Sequence, residues 1–364
     1  MNVLVVNAGS SSLKLRLLDD SDGLVASIDL PRQEVAELAG ALEEFLRHAP
    51  DVGAAGHRVV HGGSEFTHPI LLDDRADETL EALADLAPLH NPLGLAAIHA
   101  LRSLRPDLPQ IACFDTTFHA GMPAKASTYA IPRAWRERWG IRRYGFHGLS
   151  HEWASTRAAQ LLGRPTEELR LVTAHLGAGA SLAAVASGRS VDTTMGFTPM
   201  EGLVMATRSG SVDPGLVLWV QRHGGLSADQ VQEALEHESG LRGLWGESGD
   251  LRRVMAAMDE GDPDAELAYQ VYVYRIQTSV AAMGAAMGGI DGLVFTGGAG
   301  EATPRLRADA CAGLGFLGLA LDGSDNLGCQ GDGLISGPGE LPAVLVVRAR
   351  EDLVIARHVR ELIG

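Results

Sequence analysis

Apolar residues fall into two periods along this chain. Residues 3–6 (VLVV) are a β-branched run, and residues 13–18 (LKLRLL) alternate apolar with basic, with the turn-forming NAGSSS between them. This predicts strand, tight turn, strand. A third strand fits 24–30, and over 35–45 the apolar positions take helical spacing. Strands recur at 54–60 and 111–114, with helical segments at 77–87 and 92–104. The pattern restarts at Leu171, where LVTAHLGAGASLAAVASGR again reads as strand, Gly-rich turn, strand. The two openings, VVNAGSSSLKL and TAHLGAGASLA, form a faint internal repeat. Helical segments fill 229–237, 250–260 and 264–288. A strand at 293–296 feeds GGAGE, and a late strand at 343–347 precedes a terminal helix from about Asp352. Strands mixed with helices in both halves predict an α/β fold of two related lobes, with a ligand cleft between them as the natural site.

A length of 364 residues suits two domains, placed at 1–149, completed by the C-terminal helix 351–364, and at 150–350. Apolar residues at 46% and charged residues at 21% exclude a disordered or fibrous chain. With 46 acidic against 30 basic residues the net charge is −16, which argues against nucleic acid as a partner. Any anionic ligand then needs a local cluster of positive groups. Only two residues are lysine, Lys14 and Lys125, so a lysine inside a Gly/Ser-rich motif stands out. Three scattered cysteines without CxxC spacing predict neither a disulfide framework nor a structural zinc site. The start has no basic n-region or long apolar stretch, and the apolar region 279–295 is Gly-rich and broken by Asp291. The expectation is a cytoplasmic protein without a membrane partner.

NAGSSSLK (7–14) is either a plain hairpin turn or an anion cradle, with small residues whose N–H groups converge, three hydroxyls and a lysine. No GK[ST] follows its glycine, so it is not a Walker A loop. GHRVVHGG (56–63) and FHGLSH (146–151) have HxxxH spacing, but the first reads as strand then loop rather than a zinc helix. Arg58 lies mid-strand among apolar residues, which points to a bound anion or to a buried carboxylate partner. Asp115, in CFDTTFH, ends an apolar strand, where ligands gather in α/β folds; a helix N-cap is the alternative. HLGAGAS (175–181) and FTGGAGE (295–301) are further Gly-rich turns after strands. Residues 192–215 lack periodicity yet are too apolar for disorder, and they carry Arg208 in a polar turn.

Taken in order, NAGSSSLK, GHRVVHGG, APLHNP, FDTTFH, RRYGFHGLSH, HLGAGAS, DTTMGFTPMEGLVMATRSG and FTGGAGE resemble the acetate kinase family, which also includes propionate kinases. The resemblance runs from Asn7 to about Ala356. It implies two ribonuclease-H-like lobes of the acetate and sugar kinase, Hsp70 and actin superfamily, with an interlobe active-site cleft, and a homodimer. It further implies reversible, Mg²⁺-dependent transfer of the ATP γ-phosphoryl group to acetate or propionate, with Mn²⁺ able to substitute and ATP/ADP as co-substrate. The family's roles fall on matching positions. Asn7 and Glu351 are implied at the metal, with Ser10, Ser12 and Lys14 on the phosphates. Arg58 is implied for the acyl carboxylate, with Val60, Leu89, Phe146 and Pro199 around the methyl group and His90 nearby. Asp115, His147 and Arg208 are the implied catalytic residues. His175, Leu176, Gly177, Ala178 and Gly179, then Asp250, Leu251 and Arg252, then Gly298, Ala299, Gly300, Glu301 and Ala302, are implied to line the nucleotide.

Three departures fall on the nucleotide side: Ala178 where the family usually has asparagine, Ala299 for a common isoleucine and Ala302 for a common asparagine. Two other readings of the same fold are an acyl kinase with a different donor (GTP, ITP or pyrophosphate) and a catalytically silent nucleotide-binding regulator. A histidine-cluster metalloenzyme is a reading from another class. The complete set of matched charged residues argues against silence.

Overall fold

Strand β1 (Val3–Ala8) is an almost continuous apolar run, as expected of a strand covered on both faces. In the computed structural model, which describes residues 1–8, 12–31, 35–49, 51–83, 91–339 and 341–364, it is the third strand of a six-stranded sheet. The chain forms two compact units, one of residues 1–120, 146–153 and 350–364, the other of residues 121–145 and 154–349.

In the first unit β1 is followed by β2 (Ser12–Leu18), β3 (Leu24–Pro31), β4 (Ala54–Val59), β5 (Ile70–Leu71) and β6 (Gln110–Phe114), in the order β3-β2-β1-β4-β6-β5. β1, β2 and β3 form an antiparallel meander, whereas β1, β4 and β6 run parallel. Alternate residues of β1 serve opposite faces. Leu4 and Val6 join Leu13, Leu15 and Leu17 under the helices Val35–His48 and Asn91–Leu104. Val3 and Val5 join Ile111 and Cys113 against Val354, Ile355 and Val359 of the C-terminal helix Glu351–Ile363. Each large aliphatic side chain so buried contributes up to roughly 1.5–3 kcal/mol. Gly56 permits the helix to come this close: a Cβ there would lie 2.4 Å from a methyl carbon of Ile355.

The second unit repeats the plan with β7 (Arg170–Leu176), β8 (Ala180–Ala186), β9 (Arg189–Thr193), β10 (Gly292–Thr296), β11 (Gly333–Leu334) and β12 (Ala343–Val346). The order is β11-β12-β10-β7-β8-β9, again an antiparallel meander followed by parallel β7, β10 and β12. The internal repeat read from the two turns is therefore a repeat of whole sheets, each ribonuclease-H-like in its order. The helix Pro263–Met287 packs Tyr272, Ile276 and Val280 into this unit. It opens on an Asp262 cap with proline next and stops at Gly288 in the left-handed region.

The strands and helices expected from periodicity are present, and beyond them stand others, among them strands β5, β9 and β11 and helices Arg133–Trp139, Gly240–Trp245 and Pro304–Ala312. GGAGE, read as a turn, is the short helix Gly297–Ala302. Helices Gly148–Leu162 and Pro214–Gly224 carry no clear periodic signal and were not expected. The helix expected over 77–87 is Asp74–Ala82, and 84–90 lie outside the described residues. No helix among the described residues is long and apolar enough to cross a membrane.

Candidate active site

The parallel strands β1, β4 and β6 end near Asn7, Arg58 and Asp115, and these three side chains meet. Arg58 donates from Nε to Asp115 Oδ1 at 3.0 Å, from Nη2 to Oδ2 at 2.6 Å, and from Nη1 to Asn7 Oδ1 at 3.2 Å. Asn7 in turn donates from Nδ2 to Glu351 Oε2 at 2.9 Å, across 344 positions. Glu351 reaches this place because it opens the C-terminal helix packed beneath the sheet. Of the two sequence readings of Arg58, the structure shows the buried ion pair with a carboxylate. The short turn that follows Asp115 is entered from Thr116, not from Asp115.

Burial pushes the Asp115 carboxyl upward, and the Arg58 guanidinium opposes this. For Arg58 burial acts downward, but Asp115 and then Glu351 reverse it, leaving the guanidinium above its usual range. A charge pair withdrawn from water is costly unless its remaining polar atoms are satisfied. Here the His147 N–H also donates to the Asp115 carboxylate.

His147 itself stands at φ 56°, left-handed and unusual for a residue with a side chain. Its neighbours hold it there. Gly148 N–H donates to the Asp115 carbonyl at 2.8 Å, and a Cβ on Gly148 would lie 2.2 Å from that oxygen. On the other side, His119 Nε2 bonds the Phe146 carbonyl at 3.1 Å. Burial lowers His119 to about 4, so the neutral ring with a proton on Nε2 is the donor. Phe146 and Val60 are buried, and the His61 ring meets Phe146 edge-on at 5.3 Å. His147 precedes the helix Gly148–Leu162 and His151 lies inside it. Lys14 pairs with Asn7 across β1 and β2, on the same sheet face, and Ser12 begins β2. Ser10, Leu89 and His90 lie outside the described residues.

In the second unit β7 and β8 close on the turn Gly177–Gly179, where Gly177 N–H donates to the Gly179 carbonyl at 3.0 Å. His175 is registered with Thr296 of β10, which leads into Gly297–Ala302. Gly297 has φ 77°, and a Cβ there would meet the Leu176 carbonyl at 2.9 Å. The two Gly-rich segments are therefore backbone neighbours. The Ala178 carbonyl accepts from Ala206 N–H at 3.1 Å, bringing in the segment that carries Arg208. Asp250 caps the helix Leu251–Asp259 and pairs with Arg252 at 2.7 Å. The preceding Gly249 comes so close that a Cβ would lie 2.3 Å from the Ala206 carbonyl. Arg208 is not a solvated loop arginine. It is largely withdrawn from water and donates to the Pro199 carbonyl at 3.2 Å; burial lowers its pKa against the pull of Glu236.

Sequence reasoning missed several supporting residues. Arg307 is wholly buried and donates to the carbonyls of Gly300 at 2.9 Å and Glu301 at 2.7 Å, and to Asn326. Helical spacing offers one signal, since it shares a face with buried Ala310 and Cys311. Arg143 and Glu201 fall in quoted motifs, yet nothing local pairs residues 58 positions apart. His119 belongs to FDTTFH, but its hold on Phe146 is a tertiary fact.

The Acetokinase family profile matches residues 25–357. An acetate kinase of a Synechococcus species is 44% identical, over 100% of this chain and 99% of that protein. The crystal structure of Porphyromonas gingivalis acetate kinase superposes with a TM-score of 0.91 at 35% identity, covering 100% of both chains. That of a propionate kinase from Francisella tularensis superposes with a TM-score of 0.90 at 34% identity, covering 98% of each.

Proposed function

The chain belongs to the acetate kinase family, an ATP-using phosphotransferase acting on a carboxyl group, and we propose that its reaction is the reversible, Mg²⁺-dependent transfer of the ATP γ-phosphoryl group to acetate and, less well, propionate. The observation that carries this reading is the contact series Glu351–Asn7–Arg58–Asp115 at the ends of three parallel strands. Arg58 receives the acyl carboxylate, and buried Val60 and Phe146, with Leu89, Pro199 and His90, serve the acyl group. A carboxylate is already a nucleophile, so no strong base is required. What the reaction demands is alignment and positive charge around a metaphosphate-like group. In this reading His147 and Arg208 meet that charge, and Asp115 holds Arg58 and the His147 N–H in place.

Asn7 and Glu351 would hold Mg²⁺. An amide oxygen and a carboxylate are hard oxygen donors of the kind this ion takes beside phosphates and water. Bound there, the ion would supply positive charge against the phosphates. Ser10, Ser12 and Lys14 serve the phosphates, while His175–Gly179, Asp250–Arg252 and Gly298–Ala302 line the nucleotide. The contacts among Ala178, Ala206 and Gly249 support this grouping. A cytoplasmic location, where ATP is supplied, belongs to the same proposal, and the free cysteines suit a reducing compartment. So does a homodimer: helix Pro214–Gly224 buries no residue and exposes Leu216, Leu218 and Trp219.

The test is acyl-phosphate formation from acetate, propionate and butyrate with ATP, GTP, ITP and pyrophosphate, with and without EDTA. Acetate with ATP should react best, and Mg²⁺ or Mn²⁺ should restore activity lost to EDTA. Turnover with pyrophosphate but not with ATP would overturn the donor assignment.

A further inference from the structure

Between the end of β9 at Thr193 and the helix that starts at Pro214 there is no strand or helix, yet this stretch carries both Pro199 and Arg208. Such a segment lacks the hydrogen-bond ladder that fixes a strand, so side chains must order it. Arg143 donates from Nη1 to three successive carbonyls, Thr193 at 3.2 Å, Thr194 at 3.0 Å and Met195 at 3.0 Å. Its Nη2 donates to Glu201 Oε1 at 2.6 Å. The other Glu201 oxygen accepts from the Tyr129 hydroxyl, and that hydroxyl accepts from the Phe197 N–H at 2.9 Å. Gly196 passes beneath: a Cβ there would lie 1.8 Å from Glu201 Oε2 and 2.1 Å from the tyrosine oxygen. Burial, then the Glu201 bond, raises the Tyr129 pKa, so the hydroxyl remains a donor at neutral pH.

These ties bracket Pro199, whose carbonyl accepts from Arg208 Nη1 at 3.2 Å. We propose that Tyr129, Arg143 and Glu201 are positioning residues for Arg208, acting through the 193–201 segment and the Pro199 carbonyl. The inference rests on the reading of Arg208 as the group that meets phosphoryl charge. A planar guanidinium with several fixed donors can gather three carbonyls and a carboxylate at once; a lysine ammonium cannot. The positioning matters because a misplacement of about 1 Å at a reacting centre can cost ~10²-fold in rate.

A general brace and a positioning device differ in one measurable respect. A brace lowers the active fraction by the same factor whatever residue stands at 208, whereas a positioning device has nothing left to position once Arg208 is gone. The experiment is a double-mutant cycle on kcat for acetyl phosphate formation, with Tyr129→Phe, Arg208→Ala and the double variant, each checked for folding by thermal denaturation. Tyr129→Phe should lower kcat about tenfold with Arg208 present and less than twofold in the Arg208→Ala background. Glu201→Gln, which keeps an acceptor for Arg143 and an amide for the hydroxyl, should fall less than Glu201→Ala. Equal losses in both backgrounds, or no loss from Tyr129→Phe, overturn the proposal. If Arg208→Ala alone keeps near wild-type kcat, the role given to Arg208 fails and this inference with it. If Arg208→Ala is crippled and Tyr129→Phe is not, only the positioning role fails.

Discussion

The Arg58 guanidinium meets both oxygens of the Asp115 carboxylate at once, 3.0 Å from Nε to Oδ1 and 2.6 Å from Nη2 to Oδ2. Asp115 is 1% exposed, so the pair is mutually dependent. Removing one partner of such a pair leaves a buried, uncompensated charge, at a cost of about 3–5 kcal/mol. Arg58→Ala should therefore unfold at distinctly lower urea as well as lose acetate turnover. Arg58→Ala combined with Asp115→Asn should recover much of the stability and none of the activity. If Arg58→Ala unfolds at the wild-type midpoint, Asp115 is not dependent on it.

Gly148→Ala tests the backbone that presents His147. The added Cβ would fall 2.2 Å from the Asp115 carbonyl, where the only relief is a backbone shift. Overpacking of this kind costs about 1–3 kcal/mol. The variant should also lose at least about tenfold in kcat, because the Gly148 N–H to Asp115 carbonyl bond of 2.8 Å and the His147 conformation give way together. A variant with lowered Tm but intact kcat would separate His147 from the chemistry.

Arg208→Ala should act through the transition state. A positioned arginine in phosphoryl transfer can be worth ~10³–10⁵ in kcat, so a loss of at least about a hundredfold is expected. The acetate KM should move much less. Steady-state kinetics in the acetyl phosphate-forming direction decide this, and a near wild-type kcat removes Arg208 from the mechanism.

Nucleotide selectivity should be loose. Ala178 leaves its backbone turn in place, and Ala299 and Ala302 their short helix, but the three offer no side-chain amide and little apolar surface. A lost hydrogen bond is worth about 0.5–1.5 kcal/mol. Turnover of GTP or ITP should thus come within about tenfold of ATP at fixed Mg²⁺. A thousandfold preference for ATP would mean that other residues rebuild the adenine slot.

Two buried histidines should make the fold acid-sensitive. Burial lowers His57 and His119 to about 4 each from 6.5. His57 bonds Gln110 Oε1 through Nε2 at 2.8 Å, so that nitrogen carries the proton, and among the described residues Nδ1 has no partner. Because the folded pKa is depressed, the unfolded chain binds more protons between pH 4 and 6.5. The stabilisation is fully present above about 6.5 and is lost as pH falls toward 4. Each histidine contributes at most about 1.4 kcal/mol per pH unit within that window. Urea titrations from pH 4.5 to 7 should show a shallower slope for His57→Gln than for wild type; identical slopes would refute the assignment.

Local pattern alone determined much of this protein. The apolar run of β1, the alternation of β2 and the helical spacing of 264–288 are properties of neighbouring residues, so periodicity reveals them directly. The small-residue turns after β1 and β7 are equally local, and they announced the repeated sheet. An arginine among apolar neighbours and an aspartate at a strand end marked Arg58 and Asp115 as dependent on a partner. Only the tertiary structure decided that the partner of each is the other, and that Asn7 ties them to Glu351, 344 positions away. Strand order and the docking of the C-terminal helix bring these residues together, and no local period encodes either. The left-handed turn at His147 has the same origin. Its conformation is held by the Asp115 carbonyl and carboxylate and, through the Phe146 carbonyl, by His119, all from one segment far upstream in the chain. The grip of Arg143, Tyr129 and Glu201 on an aperiodic segment lies furthest from sequence reading, because irregular backbone is ordered by contacts that only the folded chain creates.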